Sequence, residues 1–311
     1  MGMHMVRMWV SEGCNALCSH CMNVSARTQA QMPFLRYEAL CDYFKINGFD
    51  KIAIMGGEPT IHPDFSRILI KAQQCFETVY LFTNALKADE LCKYEPRTQD
   101  VIIYNFSFST TLSQEKLLLN KKGERILDVV VNHDSDIKYL ENEIKRITSY
   151  DRNKIQVQLV LNNSINIFRE KGRIINNIRN LYNNLSNTNI RIEFQCGAPL
   201  CFTYGEDLPP YKPNSICPDE AILIDGYCNA RFCNIHTEKL INMFQGTNLI
   251  PYTILRNYIK RESLRIKQMC LDKVCRDCFF YNSKCNGKCH ISQNCIQKED
   301  VIANTKLPWL K

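Results

Sequence analysis

Up to Phe194, short apolar runs alternate with stretches of helical periodicity, a pattern that few architectures accommodate. The runs Val6–Val10, Ile52–Met55, Val79–Phe82, Val101–Phe106, Ile155–Leu161 and Ile190–Phe194 read as strands. The fifth has period two at Ile155, Val157, Leu159 and Leu161, and the sixth at Ile190, Ile192 and Phe194. Between them, Pro63 suits a first helical position ahead of Ile68, Leu69, Ala72 and Phe76. Ile137, Leu140, Ile144 and Ile147 recur at helical spacing, and Ile165 to Leu185 carries another such face. Six strands with intervening helices imply parallel βαβ units, hence an α/β fold. Val129–Val131 fits either a further strand or an insertion. In such folds the working residues sit in the loops that follow strand C-termini, so each motif can be weighed by whether it falls there.

The chain has 311 residues, enough for about two domains at roughly 150 residues each. At 45% hydrophobic and 23% charged it can bury a core, and disorder as the main state is excluded. The net charge of +7 comes without a dense Lys/Arg block, which disfavours a nucleic-acid partner. No run of about 18 apolar residues is present, so no membrane partner is expected. His4 and Arg7 break up the short stretch before Val10, which leaves no signal peptide. Seventeen cysteines, an odd number in a chain with no export signal, point to a cytoplasmic protein that binds metal rather than one stapled by disulfides. Eleven of them lie at or after Cys196. The Pro-containing stretch Ala198–Pro213 suits a connection, so the expected domains are 1–200 and 201–311.

Directly after the first strand comes Cys14-Asn-Ala-Leu-Cys18-Ser-His-Cys21, a C-x3-C-x2-C spacing. Three thiolates can hold three irons of a 4Fe–4S cubane and leave the fourth iron open to an outside ligand. The same spacing would also place three cysteines on one face of a core helix. Three within eight residues at a strand end suit that second reading badly. After the second strand stands Gly56-Gly57-Glu58-Pro59. Its glycines let backbone approach a ligand closely, and Glu58 offers an acceptor for an amino group. The alternative is a tight turn with a solvated Glu.

In these residues the chain resembles the radical S-adenosylmethionine (SAM) enzymes. Cys14, Cys18 and Cys21, with the ring-bearing His20 before the last of them, and Gly56-Gly57-Glu58-Pro59 carry the resemblance over roughly residues 4–196. It implies a partial (β/α)6 TIM-like barrel. It also implies a SAM-binding 4Fe–4S cluster on Cys14, Cys18 and Cys21, and SAM held by Gly56, Gly57, Glu58 and Pro59. Thr83-Asn84, after the third strand, and Ser107 and Ser109, after the fourth, are further implied SAM contacts, Asn84 and Ser109 foremost. The implied chemistry is reductive cleavage of SAM to a 5′-deoxyadenosyl radical that abstracts a substrate hydrogen, with a flavodoxin- or ferredoxin-type electron donor.

The tail holds C-x2-C-x6-C-x3-C from Cys275 to Cys289, which four tetrahedral thiolates on zinc would satisfy as well as iron–sulfur clusters. It also looks like a SPASM domain, a small cysteine-rich domain that carries auxiliary clusters. The matching residues are Cys217, Gly226, Cys233, Cys275, Cys278, Cys285, Cys289 and Cys295. The Gly226–Cys233 gap and the middle gap of the block are each longer than the family pattern. That resemblance implies one or two auxiliary 4Fe–4S clusters. One would sit on Cys275, Cys278, Cys285 and Cys295. The other would use Cys217, Cys233 and Cys289, with Cys196, Cys201, Cys228 or substrate as fourth ligand; Cys228 is also an alternative to Cys233.

Cys41, Cys75 and Cys92 lie on helical patterns and read as small buried hydrophobes, as does Cys270. Cys196 and Cys201 are alternative hydrogen-atom donors, and His133, Asp134 and Asp136 read as a turn or helix cap. Auxiliary clusters suit a net oxidation, so the leading expectation is an oxidoreductase that modifies a peptide or protein side chain. Oxidation of a small metabolite such as an aminocyclitol or sugar is the alternative. A non-enzymatic iron–sulfur or zinc protein is the alternative of another class. Only 13 residues precede Cys14, so a separate leader-peptide-binding protein is the expected source of leader recognition.

Overall fold

The computed structural model describes residues 5–18, 21, 28–105, 122–131, 134–149, 155–161, 169–185, 190–192, 206, 222–231 and 240–269. In chain order the described elements begin with β1 Met5–Ser11, α1 Phe34–Ile46, β2 Lys51–Gly56, α2 Phe65–Cys75, β3 Thr78–Thr83, α3 Ala88–Cys92 and β4 Val101–Asn105. There follow β5 Glu124–Val131, α4 Ile137–Thr148, β6 Ile155–Leu161, α5 Lys171–Asn184 and β7 Ile190–Ile192. The last are β8 Ile222–Ile224, β9 Asn229–Arg231, β10 Ile241–Asn242, β11 Phe244–Gln245, β12 Asn248–Leu249 and α6 Tyr252–Met269. They fall into two compact units, Met1–Leu127 with Asp219–Ser263, and Asp128–Pro218 with Leu264–Lys311.

In the first unit β1, β2, β3 and β4 are parallel neighbours in that order. Their register aligns Ser11 with Gly56, Ile54 with Leu81 and Thr83 with Tyr104, so the C-terminal ends of the strands form one edge. Alternation buries Val6, Met8 and Val10 of β1 and Val79 and Leu81 of β3. With Ile52 and Ile54 and the apolar faces of α1 (Tyr37, Leu40, Phe44) and α2 (Phe65, Ile68, Leu69, Ala72), these residues make the core. Pro63 stands one residue before the α2 cap, Asp64, rather than at the first helical position. A turn at His62 occupies that place: Phe65 N donates to the His62 carbonyl at 3.1 Å and Asp64 N to His62 Nδ1 at 3.0 Å.

On its other side β1 pairs in parallel with β8, Val6 facing Ile222 and Met8 facing Ile224. β9 runs antiparallel to β8, and β10 antiparallel to β9. The sequence patterns name no strand after Phe194, because three residues are too few to show a period.

In the second unit β6 and β7 are parallel. α4 buries Leu140, Ile144 and Ile147, and α5 buries Ile174, Ile175, Ile178 and Leu181, the faces expected from periodicity. Val129–Val131 is the end of β5, which settles its reading as strand. Asp136 caps α4, its side chain accepting from Tyr139 N at 3.0 Å. The architecture is a mixed α/β one with the parallel sheet of a partial barrel.

Candidate active site

The edge formed by the β1, β2 and β3 termini gathers the motifs. The cysteine loop leaves β1 at Glu12, and its return segment runs back beside the strand. Ser11 bridges Gln31, Glu12 N donates to the Ala30 carbonyl at 2.8 Å, and Met32 N donates to the Val10 carbonyl at 2.9 Å. The loop is therefore closed at its base by backbone pairing. Within it Cys14, Cys18 and Cys21 are half-buried and in no disulfide. Cys21 N donates to the Cys18 carbonyl at 3.2 Å, and Ala16 N to Cys14 Sγ at 3.4 Å. Leu17 between them is 90% exposed.

Gly56 and Gly57 form the seat of this loop. Gly57 N donates to the Ser11 carbonyl and Glu58 N to the Gly13 carbonyl, both at 2.8 Å. Gly56 has φ +142°, and a Cβ there would lie 2.1 Å from Ser11 O; a Cβ on Gly57 would lie 2.0 Å from Gly13 O. The two glycines thus admit the backbone that leads into the cysteines.

Glu58 is 1% exposed, and its carboxylate is turned into the protein. Oε1 accepts from Thr60 N at 3.1 Å, Thr60 Oγ1 at 2.7 Å and Thr83 Oγ1 at 2.9 Å; Oε2 accepts from Asn84 N at 2.7 Å. Burial pushes its carboxyl above the usual range, against the pull of these donors. The solvated-Glu reading is thereby replaced by a buried tie between the β2 and β3 termini. Pro59 opens a short 3-10 turn, Pro59–Ile61, behind it.

That tie presents Asn84 to the cysteine loop. Asn84 Nδ2 donates to Asn15 Oδ1 at 2.9 Å and reaches Cys14 Sγ at 3.7 Å, while its Oδ1 accepts from Leu86 N at 3.0 Å. Gly226, in the β8–β9 turn, comes to the root of the same loop: its N–H donates to Glu12 Oε1 at 2.8 Å. Tyr227 beside it donates from its hydroxyl to Thr28 Oγ1 at 3.1 Å. Glu12, Asn15, Thr60 and Tyr227 were not expected, since no local pattern links residues this far apart; Thr83, expected with Asn84, instead bonds to Glu58. Cys228 is buried with φ +64°, and burial pushes its thiol up to about 11, so it sits as a protonated core group.

His20, Ser107, Ser109, His133, Cys196, Cys201, Cys217, Cys233, Cys270, Cys275, Cys278, Cys285, Cys289 and Cys295 lie outside the described residues. Of the four cysteines read as core, Cys270 lies outside the described residues, Cys41 is buried, and Cys75 and Cys92 are half-buried.

The donor set fits an iron–sulfur cluster: three thiols in no disulfide sit on one loop whose base is fixed. Among the described residues no three His, Cys, Asp or Glu side chains are gathered into a metal-sized group. Cluster binding would have to draw the sulfurs together, since metal binding and ligand-loop folding are coupled. For SAM, the fitting elements are the half-buried Gly56-Gly57 backbone beside the loop and the Asn84 amide. Among the described residues no helix is long and apolar enough to cross a membrane.

Comparison with known proteins bears on the same region. A sequence model of the Radical SAM superfamily matches residues 9–123. A GTP 3′,8-cyclase of Shewanella denitrificans is 28% identical over 133 residues, 41% of this chain and 39% of that protein. Among solved structures, anSMEcpe with bound AdoMet and Cp18Cys peptide is similar with a TM-score of 0.64 at 13% identity, covering 96% of each chain. Streptococcus suis SuiB bound to precursor peptide SuiA gives a TM-score of 0.53 at 16% identity, over 76% of this chain and 62% of SuiB. At these identities the structures share the fold. The chain spans about two fifths of the curated cyclase and under two thirds of SuiB.

Proposed function

We propose that this chain, a radical SAM enzyme by virtue of residues 9–123, oxidatively modifies a peptide or protein side chain. The observation that carries this reading is the closed cysteine loop seated on Gly56-Gly57, with the Asn84 amide reaching Cys14 and Asn15. Cys14, Cys18 and Cys21 would hold the 4Fe–4S cluster. The backbone of Gly56, Gly57, Glu58 and Pro59, with Asn84 and Ser109, would hold SAM. When bound, the pair supplies a 5′-deoxyadenosyl radical that takes a hydrogen atom from the substrate. The chain's own work is positional. Glu58 fixes Asn84, the two glycines fix the loop, and the sheet edge orients what binds there.

The division into a barrel over 1–200 and a cysteine-rich region over 201–311 belongs to this reading. In that region Cys217, Cys233, Cys275, Cys278, Cys285, Cys289 and Cys295 would carry one or two auxiliary clusters, the electron exit that a net oxidation needs. A flavodoxin- or ferredoxin-type protein would supply the electron for SAM cleavage, and a separate leader-peptide-binding protein is a candidate partner. Support for a peptide comes from the shared fold: SuiB was solved with a precursor peptide and anSMEcpe with a peptide. A small-metabolite substrate is the second reading, favoured by the curated relative's being a GTP 3′,8-cyclase.

The test is anaerobic reconstitution, reduction with dithionite, and measurement of methionine and 5′-deoxyadenosine. Wild type should cleave SAM, and Cys14→Ala, Cys18→Ala and Cys21→Ala should not. Iron content near about twelve per chain would support three cubanes. Absence of SAM cleavage in the loaded wild type would end the reading. Cleavage that no peptide couples to product, but a small metabolite does, would select the second.

A further inference from the structure

The cysteine loop has an entry limb at Glu12 and an exit limb from Thr28 to Met32, and the β8–β9 turn touches both. On the entry side the Gly226 N–H donates to Glu12 Oε1 at 2.8 Å, away from solvent. On the exit side the Tyr227 hydroxyl donates to Thr28 Oγ1 at 3.1 Å, across 199 residues of sequence. A Cβ on Gly226 would lie 3.5 Å from the Ala30 carbonyl. Gly226 therefore lies against the rung that closes the loop, where Glu12 N donates to that same carbonyl. Thr28 Oγ1 also accepts from Ala30 N at 3.3 Å, which ties the hydroxyl pair to the rung.

The turn is held from behind. Asn229 Nδ2 donates to both oxygens of the buried Asp225, each at 3.0 Å. Asn242 Nδ2, from β10, donates to the Tyr227 carbonyl at 3.1 Å and to Asn229 Oδ1 at 3.0 Å. A turn fixed to its own strands can hold the loop rather than follow it. Tyr227 is 46% exposed, so its hydroxyl crosses the open side of the loop, where no core packing is at stake.

We infer that Tyr227 is a positioning residue for the cysteine ligands: the β8–β9 turn straps the two limbs of the loop together, and the Tyr227–Thr28 bond keeps the exit limb on the rung. The inference rests on the reading of Cys14, Cys18 and Cys21 as cluster ligands. Ordering a loop at the moment of binding costs affinity. A loop whose limbs are already strapped has less freedom to lose when its thiols close on a cluster, so the strap favours loading and retention. Gly226 lets backbone meet Glu12, and Tyr227 supplies the reach to Thr28.

Tyr227→Phe deletes the hydroxyl alone. In the full chain without iron, hydrogen exchange of the Glu12 and Met32 amides, which close the loop base, should quicken about 2- to 5-fold, the effect of losing one neutral hydrogen bond. The Val79 and Leu81 amides of β3 should not change. In a Thr28→Val background the same substitution should add nothing. After anaerobic reconstitution, Tyr227→Phe should lose its cluster absorbance to an iron chelator about 2- to 5-fold faster than wild type at an unchanged urea midpoint. Its reduced cluster should give a broader electron paramagnetic resonance spectrum. Exchange at Glu12 and Met32 equal to wild type, or quickened no more than at Val79 and Leu81, overturns the strap. An effect of the same size without the Thr28 hydroxyl overturns it too, as does an unaltered rate of cluster loss with an unaltered spectrum. Failure of the loaded wild type to cleave SAM is a separate result that overturns the underlying reading, and the exchange in the iron-free chain does not depend on it.

Discussion

The backbone N–H of Gly226 donates to Glu12 Oε1 at 2.8 Å, joining the β8–β9 turn to the residue that opens the cysteine loop. The turn is itself braced by the buried Asp225, which accepts from Tyr227 N, Asn229 N and Arg231 Nε at 2.8–3.0 Å. A Cβ on Gly226 would come within 3.0 Å of Glu12 Cγ and 3.2 Å of its Oε1. Gly226→Ala should therefore displace Glu12 and destabilise the fold by about 1–2 kcal/mol. Glu12→Ala leaves a buried donor unmet and should cost about 2 kcal/mol, whereas Glu12→Gln, which keeps an acceptor, should cost less. Denaturant midpoints rank the three; equal midpoints for Ala and Gln at position 12 would sink the assignment.

Gly57 and Gly48 allow a paired test. A Cβ on Gly57 would lie 2.0 Å from the Gly13 carbonyl, a clash with backbone that no rotamer change relieves. Gly57→Ala should cost about 3 kcal/mol and abolish SAM cleavage. Gly48 has φ +84° with nothing within 4 Å of its would-be Cβ, so Gly48→Ala meets only left-handed strain, about 1 kcal/mol, and should leave cleavage intact. Unfolding midpoints and 5′-deoxyadenosine formation separate the two effects.

What the sequence reveals of this fold follows the range of the forces involved. β1 to β4 are legible as short apolar runs, and the faces of α2, α4 and α5 by their helical period, because burial selects apolar residues within each element. The cysteine loop and the glycine motif are legible as strand-end features, and the parallel register does bring both to one edge. Illegible are the partners chosen in three dimensions. Glu58 reads as an open acceptor until Thr60, Thr83 and Asn84 are seen around it. Glu12 carries no signal at all, since its partner lies 214 residues away. Cys75 falls on a helical pattern yet ends its helix at the rim, where periodicity no longer predicts burial.

Asn84 tests the link between geometry and chemistry. Its Nδ2 reaches Asn15 Oδ1 and Cys14 Sγ, while its backbone N–H serves Glu58. Asn84→Ala keeps the backbone bond and removes the contact with the loop. SAM cleavage should fall about 10- to 100-fold, the usual effect of removing a group that orients a metal ligand. Stability should change by only about 1 kcal/mol. Rate and melting temperature measured on one preparation would show whether the two part as expected; a melting loss that matches the loss of rate would reduce Asn84 to a structural residue.

Asp100 sets the acid limit of the first unit. It is fully buried; its carboxylate accepts from Arg97 Nη2 at 2.8 Å, Arg97 N at 2.8 Å, Gln73 Nε2 at 2.9 Å and Val79 N at 3.1 Å. Burial pushes its carboxyl up, but Arg97 and these other donors prevail and hold it below the usual range. A carboxyl lowered in the folded state contributes stability that is complete above its unfolded pKa, about 3.9, and is lost as pH falls through the folded value. Asp100→Asn should therefore be less stable than wild type by about 2 kcal/mol at pH 7. The gap should hold down to about pH 5 and shrink below about pH 4, where wild type gives up the same contribution. Urea midpoints of the two proteins across that interval measure the gap directly. A difference that stays constant into strong acid would mean that Asp100 acts through shape rather than charge.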